Sequence, residues 1–256
     1  MTNVFIISAP SGSGKSTLVH ELRIRVAGLD FSISYTTRKP RGSEQNGREY
    51  FFVTRLEFEA MIDRDEFLEH AEVFGNFYGT ARRFLLEAQE HGSDLLLDID
   101  VQGAAQLKKK IPEAVSIFIL PPNRDKLERR LRNRGLDAEE VIQRRLVTAS
   151  REIENYDKYD YILVNDRLGK STDELRAIVL SERLRRSGQP LSEDDQRKML
   201  LAEGCRLANA RSRIQEILDS FRRARGLNGK SPDENGPGGK KSDGQDPDDP
   251  GPDEIG

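Results

Sequence analysis

The stretch Val4-Phe5-Ile6-Ile7-Ser8-Ala9-Pro10-Ser11-Gly12-Ser13-Gly14-Lys15-Ser16-Thr17 decides the reading of this chain. Four consecutive apolar residues predict a buried strand at its start, and a helical pattern follows over residues 17–26. Strand, glycine-rich turn and Gly-Lys-Ser at a helix start form the context of a nucleotide phosphate-binding loop. Gly12 and Gly14 let the backbone curl, so that N–H groups point inward at phosphate oxygens. The helix adds its own unpaired N–H groups and the positive end of its dipole. Ala9, Pro10, Ser11, Gly12, Ser13, Gly14, Lys15, Ser16 and Thr17 are thus the expected nucleotide-phosphate-binding set. Lys15 reaches for the outer phosphates, and the Ser16 hydroxyl is a direct ligand for Mg²⁺. Ala9 stands where the common pattern has glycine. The bland alternative is an ordinary glycine-rich turn.

Further along, apolar runs alternate with helical patterns. Residues 31–35 and 50–53 read as short strands, and residues 55–64 as a helix carrying Leu56, Phe58, Met61 and Ile62. Residues 95–100 read as a second buried strand with acids at its carboxyl end. Residues 115–120 and 161–164 follow as a third and fourth, the last leading into a helix at 172–186. Alternation of this kind argues for a parallel α/β sheet with ligands at the strand carboxyl ends. Asp98 and Asp100, two apart on such a strand, share a face. Acids are costly at a buried strand end unless a ligand or metal answers them. A functional role is therefore favoured for both, with Asp98 read as touching the Mg²⁺ shell through water; both as plain strand caps is the alternative.

A second constellation lies at Ser34-Tyr35-Thr36-Thr37-Arg38-Lys39-Pro40-Arg41, with Tyr50 close behind. Two guanidinium groups plus hydroxyls suit a phosphate monoester, and a solvated basic turn is the equal alternative. Glu69, then Gly75-Asn76-Phe77-Tyr78-Gly79-Thr80, then Asp98-Ile99-Asp100-Val101-Gln102-Gly103 complete the series. In this order the segments resemble those of guanylate kinases, P-loop nucleoside monophosphate kinases, over roughly residues 2–188. The resemblance implies a three-layer P-loop fold with a parallel core sheet, a GMP-binding subdomain at about 34–90 and a helical lid at about 125–150. It also implies phosphoryl transfer from ATP, with Mg²⁺, to GMP and dGMP. By the same resemblance Ser34, Arg38, Arg41, Tyr50 and Tyr78 bind the GMP phosphate, while Glu69, Thr80 and Asp100 read the guanine. Guanine offers N1–H and N2–H₂ donors to a carboxylate and an O6 acceptor to a hydroxyl. Glu69 as a surface acid on a helix is the plain alternative.

The lid segment holds Arg129-Arg130-Leu131-Arg132-Asn133-Arg134-Gly135 and Gln143-Arg144-Arg145. The resemblance assigns Arg130, Arg134 and Arg145 to the transferring phosphates, with Lys15. Arg129, Arg132 and Arg144 read as a charged helix face paired with Glu128, Glu139 and Glu140. Asn165 aligns with a residue of the adenine pocket, or is a turn asparagine. Two other functions fit the segments: a kinase for a ribose phosphate, and a guanylate-kinase-like module that only binds. The intact Lys15, Ser16 and lid arginines favour the enzyme.

Residues 1–188 are read as the kinase domain and 189–226 as an extension. In it Leu200, Leu207, Ile214 and Phe221 recur every seven residues along one amphipathic helix that docks on its own domain or on a second subunit. Residues 227–256 hold eight Asp/Glu against three Lys, and with seven Gly and five Pro they read as a disordered acidic tail. The body is then nearly neutral, which gives no case for nucleic-acid binding. No apolar run approaches a membrane span, and the first is too short for a signal peptide. One cysteine, Cys205, excludes an intrachain disulfide, and a cytoplasmic protein is expected.

Overall fold

Alternation along β1 (Val4–Ser8) sets up the core. Val4 and Ile6 face one side of the sheet, Phe5 and Ile7 the other, and all four are buried. The computed structural model describes residues 2–73, 75–133 and 138–228. In chain order these form β1, α1 (Lys15–Arg25), β2 (Leu29–Phe31), β3 (Tyr35–Thr36), β4 (Phe51–Phe52), α2 (Arg55–Asp63), β5 (Phe67–Val73) and β6 (Asn76–Ala81). There follow α3 (Arg83–His91), β7 (Asp94–Asp98), α4 (Val101–Lys110), β8 (Val115–Leu120), α5 (Arg124–Asn133) and α6 (Glu139–Ile153). The last elements are β9 (Tyr161–Val164), α7 (Leu168–Ser187), α8 (Glu193–Glu203) and α9 (Leu207–Asn228).

The core sheet runs β2-β7-β1-β8-β9, every pair parallel. Leu18 and Leu22 of α1 with Leu175 and Ile178 of α7 cover the Phe5/Ile7 face. Phe84, Leu107, Leu127, Leu146 and Phe221, from α3, α4, α5, α6 and α9, cover the other. This is the expected three-layer parallel arrangement. A smaller sheet, β4-β3-β6-β5, holds the antiparallel β5–β6 hairpin and has its own cluster of Phe58, Met61 and Phe67.

The segment read as one strand at 31–35 is two, β2 and β3, in different sheets. The extension departs further: it is two helices rather than one. Backbone at 205–207 turns to pair with the open edge of β9, Ile162 N–H donating to the Cys205 carbonyl at 2.7 Å and Leu207 N–H to that of Asp160 at 3.0 Å. A continuous helix would have left that edge bare. Leu200, assigned to the apolar stripe, is therefore 76% exposed on α8, whereas Ile214 and Phe221 of α9 are buried. Residues 229–256, most of the segment read as a tail, lie outside the described residues.

Candidate active site

The carboxyl end of β1 opens into the glycine-rich loop, and its backbone requires those glycines. Gly12 has φ 89° and Gly14 φ 87°, where an L side chain is strained. Both also back against neighbours. A Cβ on Gly12 would lie 2.8 Å from Leu131 Cδ2 of α5, and one on Gly14 2.4 Å from the Asn165 amide nitrogen. Asn165 donates that amide to the Ser13 carbonyl at 2.8 Å. Arg130 donates to the Asn165 carbonyl at 2.8 Å and to Ser13 at 3.3 Å. Asn165 and Arg130 thus support the loop from behind.

Lys15, in the first turn of α1, forms an ion pair with Asp98 at the end of β7. Burial pulls the ammonium pKa down, but the Asp98 carboxylate outweighs it, so Lys15 stays charged with a pKa above its usual value. Ser16 is exposed beside it. Asp98 is the last residue of its strand and Asp100 already the cap of α4, accepting from Gly103 N–H at 2.8 Å, so strand alternation does not relate them. Both nonetheless line a cavity of roughly 580 Å³ together with the phosphate loop, a volume typical of small-molecule sites.

The opposite wall comes from the smaller sheet. Ser34, Arg41, Tyr50, Glu69 and Tyr78 all line the same cavity. Arg38 and Thr80 stand behind them. The Arg38 guanidinium lies 5.3 Å from the Tyr50 ring centre and is held by Glu44 at 2.9 Å, a partner sequence reading missed. Glu44 also accepts the Arg41 N–H at 2.8 Å, so it shapes the loop carrying both arginines. Glu69 is not a helix acid. It lies on β5 opposite Thr80 of β6, is only 4% exposed, and accepts the Thr80 hydroxyl at 2.6 Å. Burial outweighs that hydrogen bond and raises its carboxyl pKa to about 7.

The third wall is one face of α6, where Val141, Arg144, Arg145, Thr148 and Glu152 line the cavity at helical spacing. Arg144, read from sequence as a surface charge, belongs to the site. Arg132 does pair with Glu128 and Glu139, as expected, and Arg129 is exposed. Arg134 lies outside the described residues. Thr17 is exposed on α1 and Ser13 buried under the loop.

Glu152 carried no signal in the sequence. The Ser11 backbone, Lys15, Asp100 and Tyr159 are the polar, charged and titratable groups around its carboxylate. Among the described residues its Oε2 has no hydrogen-bond partner. Burial dominates and raises its pKa from 4.5 to about 7. The folded protein thus holds a proton that the unfolded chain has already lost, and stability falls as pH rises through that window. Glu152→Gln is expected to melt at the wild-type temperature at pH 4.5 and several degrees higher at pH 8. Calorimetry across that range checks this; a constant difference at every pH contradicts it.

A family model described as guanylate kinase matches residues 1–182. A guanylate kinase of Koribacter versatilis is 64% identical over 224 residues, 86% of this chain and 96% of that relative. That of Escherichia coli is 49% identical over 202 residues, 78% of this chain and 98% of the relative. Among solved structures, the crystal structure of guanylate kinase from Anaplasma phagocytophilum aligns with TM-score 0.57 and 35% identity, covering 71% of this chain and 86% of that one.

Proposed function

The chain belongs to the guanylate kinase family and is an ATP:GMP phosphotransferase, and we propose that its cavity seats ATP on the phosphate loop and GMP against the β5–β6 hairpin. One observation carries this division. A single cavity is lined at one end by Gly12, Gly14 and Lys15 and at the other by a buried, hydroxyl-braced Glu69. The GMP phosphate is received by Arg41, Ser34, Tyr50 and Tyr78, with Arg38 in support. The guanine is read by Glu69, Thr80 and Asp100. Adenine lacks the N1–H and N2–H₂ donor pair, so AMP leaves the buried carboxylate unanswered. dGMP presents the same base and is accepted too.

Transfer in this cavity needs alignment and charge rather than an acid or base. Lys15 neutralises charge on the outer phosphates, and Arg145 with Arg144 does so from α6. Arg130 acts by holding the loop at Ser13, and Arg134 joins the set from the lid at about 125–150. Mg²⁺, when bound with ATP, would supply positive charge against the phosphates. Ser16 offers it a direct oxygen and Asp98 one through water. Among the described residues no cluster of three ligating side chains exists.

The kinase domain is assigned to residues 1–188, with 34–90 binding GMP, and the extension to 189–226. A second copy docking through the extension would use Leu200 and Leu201 of α8, because the buried residues of α9 already face their own domain. Among the described residues no helix is long and apolar enough to cross a membrane. ATP, GMP and a reduced Cys205 together point to the cytoplasm.

Glu69→Gln tests the base assignment. An amide presents one acceptor and one mismatched donor, so kcat/KM for GMP is expected to fall by roughly tenfold to a hundredfold, with the KM for ATP unchanged. Equal efficiency toward GMP in both proteins removes Glu69 as base reader.

A further inference from the structure

Glu69 reaches its position only because a neighbour has no side chain. Gly103 is the third residue of α4, its N–H bonded to the capping Asp100 at 2.8 Å. A Cβ there would lie 2.2 Å from Glu69 Oε2, 2.9 Å from Glu69 Cδ and 3.4 Å from Asp100 Oδ1. The first two distances are shorter than any carbon tolerates. Something must move, and the surroundings decide what.

The helix is not free to retreat. Gln106, one turn along α4, grips the backbone of His70, the residue after Glu69: its amide donates to the His70 carbonyl at 2.7 Å and its Oε1 accepts the His70 N–H at 3.4 Å. β5 is itself paired residue for residue with β6 from Glu69 to Val73. Both backbones are thus fixed against each other, and the carboxylate is the part able to yield. It yields by leaving the Thr80 hydroxyl, which holds it at 2.6 Å.

We propose that Gly103 is a positioning residue for guanine recognition: its bare Cα admits the Glu69 carboxylate to the place from which it reads the base. The proposal rests on the assignment of Glu69 to the base. It adds that specificity is set on α4 as well as on the hairpin. No φ constraint demands glycine at this position, since Gly103 is not among the positive-φ residues. Within a helix alanine is the better residue intrinsically. A role confined to helix stability therefore predicts gain from Gly103→Ala, and a positioning role predicts loss of recognition without loss of fold.

The test is calorimetric titration of GMP and of IMP, which lacks the 2-amino group, into wild type, Gly103→Ala, Glu69→Gln and the double variant. Gly103→Ala is expected to weaken GMP by about tenfold or more and IMP by less, with kcat at saturating GMP held within about threefold. In the Glu69→Gln background the same change is expected to cost no further selectivity, because the pair acts as a unit. A Gly103→Ala protein that keeps the wild-type preference for GMP, while Glu69→Gln loses it, overturns this proposal alone. Preference kept by Glu69→Gln overturns the base assignment and the proposal together. Should Gly103→Ala melt lower than wild type, adding Glu69→Asp, which draws the carboxylate back by one methylene, is expected to restore the melting temperature. Failure to restore it also overturns the proposal.

Discussion

Lys15→Ala is expected to lower turnover by roughly 100- to 1000-fold at saturating ATP and GMP, the usual consequence of removing a group that meets charge developing in the transition state. The side chain sits at the mouth of α1 with Asp98 as its partner, and the groups that shape the loop are Gly12, Gly14 and Asn165. The loop therefore survives the change. Asp98 is left without its counter-charge, but it is partly exposed and water can answer it. A coupled assay with calorimetry separates the two effects: large loss of turnover, small change in melting. Near-normal turnover would remove the phosphate loop from the mechanism.

Deletion of residues 207–256 is expected to abolish the cooperative melting transition or lower its midpoint by more than 10 °C. Ile214, Ile217, Leu218 and Phe221 of α9 are buried in the same cluster as Leu127, Leu131, Leu146 and Ile162. Each such side chain contributes about 1.5–3 kcal/mol before ordering entropy, against a total stability of about 5–15 kcal/mol for a domain. The N–H of Arg124 also donates to Ser220 at 3.1 Å, so α5 loses a partner at its start. Deletion of residues 229–256 alone is expected to leave melting and turnover unchanged. If the two deletions melt alike, α9 contributes nothing to the domain and its packing has been misjudged.

What the sequence made legible was local. The phosphate loop shows itself because strand, turn and helix lie side by side in the chain, and each part has its own signature. The parallel sheet follows from the same logic, since β7, β8 and β9 are apolar runs of strand length. Glu69 was legible only through family likeness. Taken alone it reads equally well as a surface acid, because its burial is made by pairing with Thr80 and by contact with Gly103, neither of which periodicity reveals. Arg144 was assigned to solvent for a similar reason: a run of arginines does not say which of them faces inward. The face it shares with Thr148 and Glu152 is polar, so no hydrophobic periodicity marks it. In the extension, a seven-residue repeat running through Gly204 concealed a turn that the edge of β9 imposes.

The proposed site places guanine at the hairpin end of the cavity, against Glu69, with its phosphate turned toward Lys15. A crystal structure with GMP and a non-hydrolysable ATP analogue measures this directly. Guanine N1 and N2 are expected within about 2.7–3.2 Å of the Glu69 carboxylate, with O6 facing the Thr80 hydroxyl and the GMP phosphate at Arg41 and Tyr50. A guanine ring bound elsewhere, with Glu69 still paired only to Thr80, would contradict it.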